Sequence, residues 1–412
     1  MTSRNPAAVP STPLKLPEFI ALFALMTSLT ALTIDAVLPA MPVIESQFDV
    51  SDPTRVHWLV SLFIFGMVFG ELLFGPLSDA LGRKPAILIG LGIYALGTVI
   101  AMTADSLSVL IAGRIVQGIG VSGPKIGSRA LIRDQFQGDA MARIMSFVMM
   151  LFILVPMLAP AYGQLVLAVA DWRGIFYSFL VLALVVAVWL ALRQPETLPV
   201  ERRIPFSPVN LGRSASRIVR HPKVMAYTVV AGLIFGCQVT YYSIAQALFE
   251  DLYQAGALFP VFFALLAAGV GVASFVNGTL VMRLGMHRQT VTALAGMIVL
   301  SGVLIGLAWL GNGRTALPVF LALGFGLFFC VGLLFGNINA LAMQSLGQVA
   351  GIGASLVASL SSLVAVGVSV TVGQFYNQTL YPLATGFLVC ASLALMLVLA
   401  ARRSNAGEIG RP

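Results

Sequence analysis

Long apolar runs and short polar breaks alternate along the whole chain, and the spacing of the breaks sets the architecture. Twelve runs fall near 17–40, 55–79, 85–104, 107–132, 142–168, 173–194, 223–249, 258–282, 289–310, 315–342, 349–377 and 382–402. A helix crossing a hydrocarbon core of ~30 Å needs ~20 residues, so each run predicts a membrane-spanning helix. One break is much longer than the rest. PETLPVERRIPFSPVNLGRSASRIVRHP at 195–222 lies near the midpoint, and predicts an N-terminal six-helix bundle (1–194), a basic linker (195–222) and a C-terminal bundle (223–412).

The halves echo each other. Gly75, Leu77, Leu81 and Gly82 recur as Gly278, Leu280, Leu284 and Gly285, and Tyr162-Gly163-Gln164 recurs as Val372-Gly373-Gln374. The expected fold is therefore an all-α membrane protein of two pseudo-symmetric six-helix bundles, the build of transporters that rock one half against the other.

Composition agrees with this reading. The chain is 58% hydrophobic and 10% charged, against ~45–50% apolar and ~25% charged for soluble domains. Its formal charge of +8 does not point to nucleic acid, because the cations lie in short loops and span ends rather than on one soluble face. Arg83, Lys84, Arg133, Arg143, Arg283, Arg288, the linker arginines, Arg402, Arg403 and Arg411 fall on one side, which the positive-inside rule makes cytoplasmic together with both termini. Residues 208–220 read either as a helix on the anionic cytoplasmic leaflet or as a solvated basic segment. Cys237, Cys330 and Cys390 all fall within apolar runs, without disulfide or metal-ligand spacing. His57, His221 and His287 form no catalytic grouping, and GxxxxGK[ST] is absent. These features predict a transporter with no cofactor, and argue against an enzyme or a direct ATP drive.

Charged residues inside spans mark candidate machinery. Asp35 lies near the periplasmic end of span 1, and Arg114 is predicted at similar depth in span 4. A carboxylate set between burial and an arginine can take a proton outside and release it inside; the other reading is a static ion pair. Lys125, Arg129 and Arg133 form an i, i+4, i+8 stripe on span 4, and Glu71, Gly75 and Asp79 the same stripe on span 2. Glu71–Lys125 and Asp79–Arg129 or Asp79–Arg133 are the expected pairs, with a lone, snorkelling Lys125 as the alternative.

Between spans 2 and 3 the chain reads GPLSDALGRK, and Gly75, Leu77, Asp79, Gly82, Arg83 and Lys84 resemble the G-x-L-x-D-x-x-G-R-K motif of the major facilitator superfamily. The resemblance implies that Gly75, Asp79, Gly82, Arg83 and Lys84, with Arg129 and Arg133, form a conformational latch on the cytoplasmic side. Ala80 stands where relatives often carry Arg. Pro156, Pro160 and Gly163 in span 5 resemble the antiporter signature G-P-x-x-G-G, with Ala159 and Gln164 replacing two glycines. Asp35 with LPAMP, SRALIRD at 128–134, DWRGIFYSFL at 171–180 and QPETL at 194–198 resemble the bicyclomycin/chloramphenicol-resistance branch of the drug:proton antiporters. That likeness implies a monomeric, multi-pass exporter of the bacterial inner membrane, exchanging a drug or small amphipathic metabolite for protons; a proton-coupled uptake symporter is the alternative. Gln238, Tyr241, Tyr242, Gln246, Asn337, Asn339 and Met149 are the candidate substrate-cavity residues, facing either a cavity or neighbouring helices.

Overall fold

A computed structural model describes residues 14–50, 55–136, 154–344 and 350–408. In the N-terminal half the helices are α1 (Leu16–Asp35), the short α2 (Met41–Gln47), α3 (Trp58–Leu81), α4 (Arg83–Met102), α5 (Leu107–Gln135), α6 (Leu154–Leu167) and α7 (Trp172–Arg193). The linker carries α8 (Pro208–Val219). Then follow α9 (Pro222–Ala247), α10 (Phe259–Leu284), α11 (Met286–Leu310), α12 (Leu317–Met343), α13 (Ala350–Gln374) and α14 (Tyr381–Glu408). Among the described residues, eleven helices are long and apolar enough to cross a membrane, and α6 is a shorter apolar helix. The expected span over 142–168 is described only from Leu154 onward, so Met149 and Arg143 lie outside the described residues.

Local chemistry sets the helix ends. Proline opens α1, α9, α10 and α12, where its missing N–H removes no helical bond. Ser106 caps α5 through the Val109 amide, and Asp171 caps α7 through the Arg173 amide. At Gly82, φ of +109° lets α3 stop and α4 begin one residue later, a turn an L side chain would strain.

Packing divides the spans into two groups. α5 packs against α1, α3 and α4, and α7 covers α1 and α4; α9 packs against α12, α13 and α14, while α10 and α11 lie on α12. The two groups meet mainly where α13 runs along α3. Burial separates inner from outer helices: 78% of the apolar window at α1 and 72% of that at α9 are buried, against 33% at α7, α10 and α11. The first two therefore line the centre, and the last three turn apolar side chains to lipid.

Candidate functional site

Asp35 is the last residue of α1, and its side chain is buried at 1% exposure. Among the described residues it forms no ion pair, and its Oδ1 has no hydrogen-bond partner. At Gly163 on α6 a Cβ would overlap the carbonyl oxygen of Ala36, so only glycine lets α6 lie against the end of α1. Pro160, one turn earlier, is also buried, and Pro156 is half-buried. From the other half, α9 reaches the turn at Leu38–Ala40, and Tyr241 and Tyr242 lie within electrostatic reach of Asp35. The Tyr241 hydroxyl, Gln246 Oε1 and Thr30 Oγ1 are likewise buried without a hydrogen-bond partner. Buried polar atoms are rarely left unpaired. Four such atoms, Asp35 and Thr30 on α1 with Tyr241 and Gln246 on α9, belong to the two most central helices.

Arg114 does not pair with Asp35. It is fully buried, donating from Nε to the Leu59 carbonyl (3.1 Å) and from Nη1 to Gln117 Oε1 (3.0 Å). Its guanidinium lies 4.5 Å from the Phe63 ring centre and 6.0 Å from that of Phe176. The guanidinium faces aromatic walls and the Leu59 carbonyl instead of Asp35, and its Nη2 is buried without a hydrogen-bond partner among the described residues. The link to α1 is indirect. Tyr94 lies within the electrostatic reach of Arg114, and its hydroxyl is 2.6 Å from Thr33 Oγ1, two residues before Asp35.

The remaining cavity candidates separate. Gln238 donates to the hydroxyl of Tyr242 one turn on. Tyr241 stacks on Phe263 (5.7 Å) and meets Phe328 edge-on (4.9 Å). Asn337 belongs elsewhere: its Nδ2 donates to Asn277 Oδ1 (2.9 Å), which also accepts from Gln289 Nε2 (2.7 Å), tying α10, α11 and α12 together. Asn339 is exposed and bonds the Phe335 carbonyl of its own helix. Both asparagines are spent on helix contacts rather than on a central cavity.

The seam between α3 and α13 is built on hydroxyls. Glu71 is fully buried; its Oε1 meets Lys125 Nζ at 2.5 Å, and its Oε2 accepts from Ser362 Oγ of the opposite half at 2.9 Å. Ser359 Oγ donates to the Val68 carbonyl (2.8 Å), and Ser369 Oγ lies 3.1 Å from Ser61 Oγ. A Cβ at Gly75 would overlap Ser355 Oγ, so this glycine of the motif lets the other half approach. Sequence reasoning missed these serines. Their signal is small polar residues at 355, 359, 362 and 369, a spacing that keeps one helix face.

At the linker end, Arg83 is the hub. Its Nη1 pairs with Asp79 Oδ1 (2.5 Å) and its Nε with Asp134 Oδ2 (2.8 Å), while Ser78 accepts a third bond. Asp79 therefore pairs with Arg83, not with Arg129 or Arg133, because the Gly82 turn folds Arg83 back on it. Arg129 and Arg133 are exposed, and Arg129 feels Glu71 instead. Glu196, also missed, accepts from the Arg83 amide (2.9 Å) and the Lys84 amide (3.0 Å), capping α4 from the linker. Lys84 Nζ donates to the Ala191 carbonyl (2.7 Å), and the Ile204 amide donates to the Asp79 carbonyl (3.0 Å).

Known proteins fit this arrangement. The family model described as Major Facilitator Superfamily matches residues 23–369. The bicyclomycin resistance protein homolog of Haemophilus influenzae is 29% identical over 387 residues, covering 92% of this chain and 94% of its own. The MFS-type transporter YdgK of Bacillus subtilis is 26% identical over 393 residues, covering 94% and 96%. The crystal structure of the human organic anion transporter MFSD10 superposes with a TM-score of 0.67 at 20% identity, over 94% of this chain and all of the other, a likeness of fold. With the family model spanning most of both halves and the helices arranged as described, the chain belongs to the Major Facilitator Superfamily and is a multi-pass membrane transporter, not an enzyme.

Proposed function

We propose that the protein exports a small amphipathic molecule across the bacterial inner membrane in exchange for protons, by alternating access. One observation carries the reading: Asp35, buried without an ion partner, closes α1 against the proline-bearing α6 and opposite Tyr241 and Tyr242 of the other half. A buried charge without a counter-charge is costly, and a proton removes that cost. Binding a proton and binding cargo at this boundary are then alternatives, and Gly163 with Pro156 and Pro160 forms a wall that can shift as the halves rock. The printed names of relatives, a bicyclomycin resistance protein homolog and multidrug resistance proteins, favour export of drug-like molecules. One proton moving down ~100 mV supplies ~2.3 kcal/mol, enough for roughly a fiftyfold gradient of a neutral cargo.

The test uses the full chain in sealed vesicles with an imposed pH gradient. Cargo is expected to move against the proton flow, and adding cargo is expected to drive protons the opposite way. Movement of cargo and protons in the same direction would instead establish uptake by symport.

A further inference from the structure

The linker is moored to both halves and turns a mixed basic and apolar face outward. Residues 196–204 hold the N-terminal half through Glu196 on α4 and the Ile204 amide on the Asp79 carbonyl. α8 rests on the C-terminal half, packing against α13 and α9, with Ile218 buried at 2% and Ala215 against the core. The opposite face is covered by neither half. Val209, Arg213 and Ser216 of α8, with Arg220 just past its end, are exposed at i, i+4, i+7 and i+11, one stripe continued beyond the helix. Val219 beside it is exposed, as are Arg202, Ile204 and Phe206 just before the helix.

Such a face does not suit water alone. Arginines interleaved with exposed valine, isoleucine and phenylalanine are the makeup of a helix lying at a membrane interface, its apolar groups at the acyl boundary and its cations among headgroups. The chain spans a membrane, and α8 leads straight into the spanning α9 at Pro222, so α8 ends where that helix meets the bilayer surface. Three exposed cations, Arg202, Arg213 and Arg220, stand against one exposed acid, Glu201, a balance that fits an anionic headgroup better than a zwitterionic one.

We propose that the outer face of α8 and the segment before it is a docking surface for anionic lipid headgroups of the adjoining leaflet, held by Arg202, Arg213 and Arg220. Each cation near an anionic surface strengthens docking about fivefold, so the three together contribute roughly a hundredfold. Added salt weakens the attraction, because these charges are exposed.

The test places an environment-sensitive fluorophore on α8 of the full chain through Ser216→Cys; the three native cysteines are buried. The protein is reconstituted in vesicles of phosphatidylcholine alone or with a third phosphatidylglycerol. The expected result is a blue shift in the anionic vesicles that salt reverses. Arg202→Gln/Arg213→Gln/Arg220→Gln abolishes the shift, while the matching triple lysine variant retains it. An unchanged melting temperature in the glutamine variant separates loss of docking from loss of fold. Equal signals in neutral and anionic vesicles, or a glutamine variant that shifts like the parent, would overturn the proposal. A signal produced by a soluble polyanion such as RNA but not by anionic vesicles would also overturn it.

Discussion

Replacing Lys125 with Met is expected to destabilise the transporter by about 3 kcal/mol and to lower its melting temperature in detergent by several degrees. The pair it breaks is lopsided: Glu71 is fully buried, whereas Lys125 keeps 25% of its side chain exposed. Removing the cation strands a carboxylate among α3, α5 and α13, and stranding one partner of a buried pair costs ~3–5 kcal/mol. The lower end applies because water reaches the lysine, and because Ser362 still donates to Oε2. Glu71→Gln should be far milder, since an amide oxygen can still accept from Ser362 and the ammonium left without its counter-charge keeps 25% exposure and reaches water. The double variant Glu71→Gln/Lys125→Met should recover most of the loss. A Lys125→Met protein that melts with the parent, or a double variant worse than either single one, would show that the pair does not hold the seam.

Gly163→Val is expected to reduce transport at least tenfold. The new side chain would overlap the carbonyl oxygen of Ala36, and both sides of that contact are main chain, so no side-chain rotation relieves it. Overpacking of this kind costs ~1–3 kcal/mol where neighbours can shift. Here the shift must separate α6 from the end of α1, the residue next to Asp35. Gly163→Ala should act in the same direction with a smaller loss. Initial transport rates in vesicles, with melting temperature alongside, check this; a valine variant with parental rate and stability would mean that α6 does not bear on the end of α1.

The hydrophobic pattern carried the spans, because a ~20-residue apolar run in one chain has few alternatives to a crossing helix. It also carried Glu71 opposite Lys125, since both lie on helices running in one direction at equal steps from a shared end. Side-chain partners across longer paths were not legible. Spacing sets Asp79 against the stripe on α5, but the left-handed backbone at Gly82 turns Arg83 back over it, a contact set by one φ angle. Depth alone sets Arg114 against Asp35, but depth along a helix does not fix rotation about it, and the guanidinium turns to Phe63 and Leu59. Polarity marks Asn337 and Asn339 as cavity candidates, yet a membrane helix spends such groups on neighbouring helices or its own carbonyls first. Glu196 comes from a linker more than a hundred residues away from the amides it caps, and no local pattern announces that reach.

The central claim is that Asp35 carries the exchanged proton. In weakly buffered detergent solution, adding a transported cargo to the purified protein should release protons, about one per protein if Asp35 alone is displaced. The Asp35→Asn variant should release none, while still exchanging labelled for unlabelled cargo across vesicles, a reaction that needs no net proton movement. Proton release from Asp35→Asn equal to that of the parent would contradict the account and move the coupling site elsewhere in the chain.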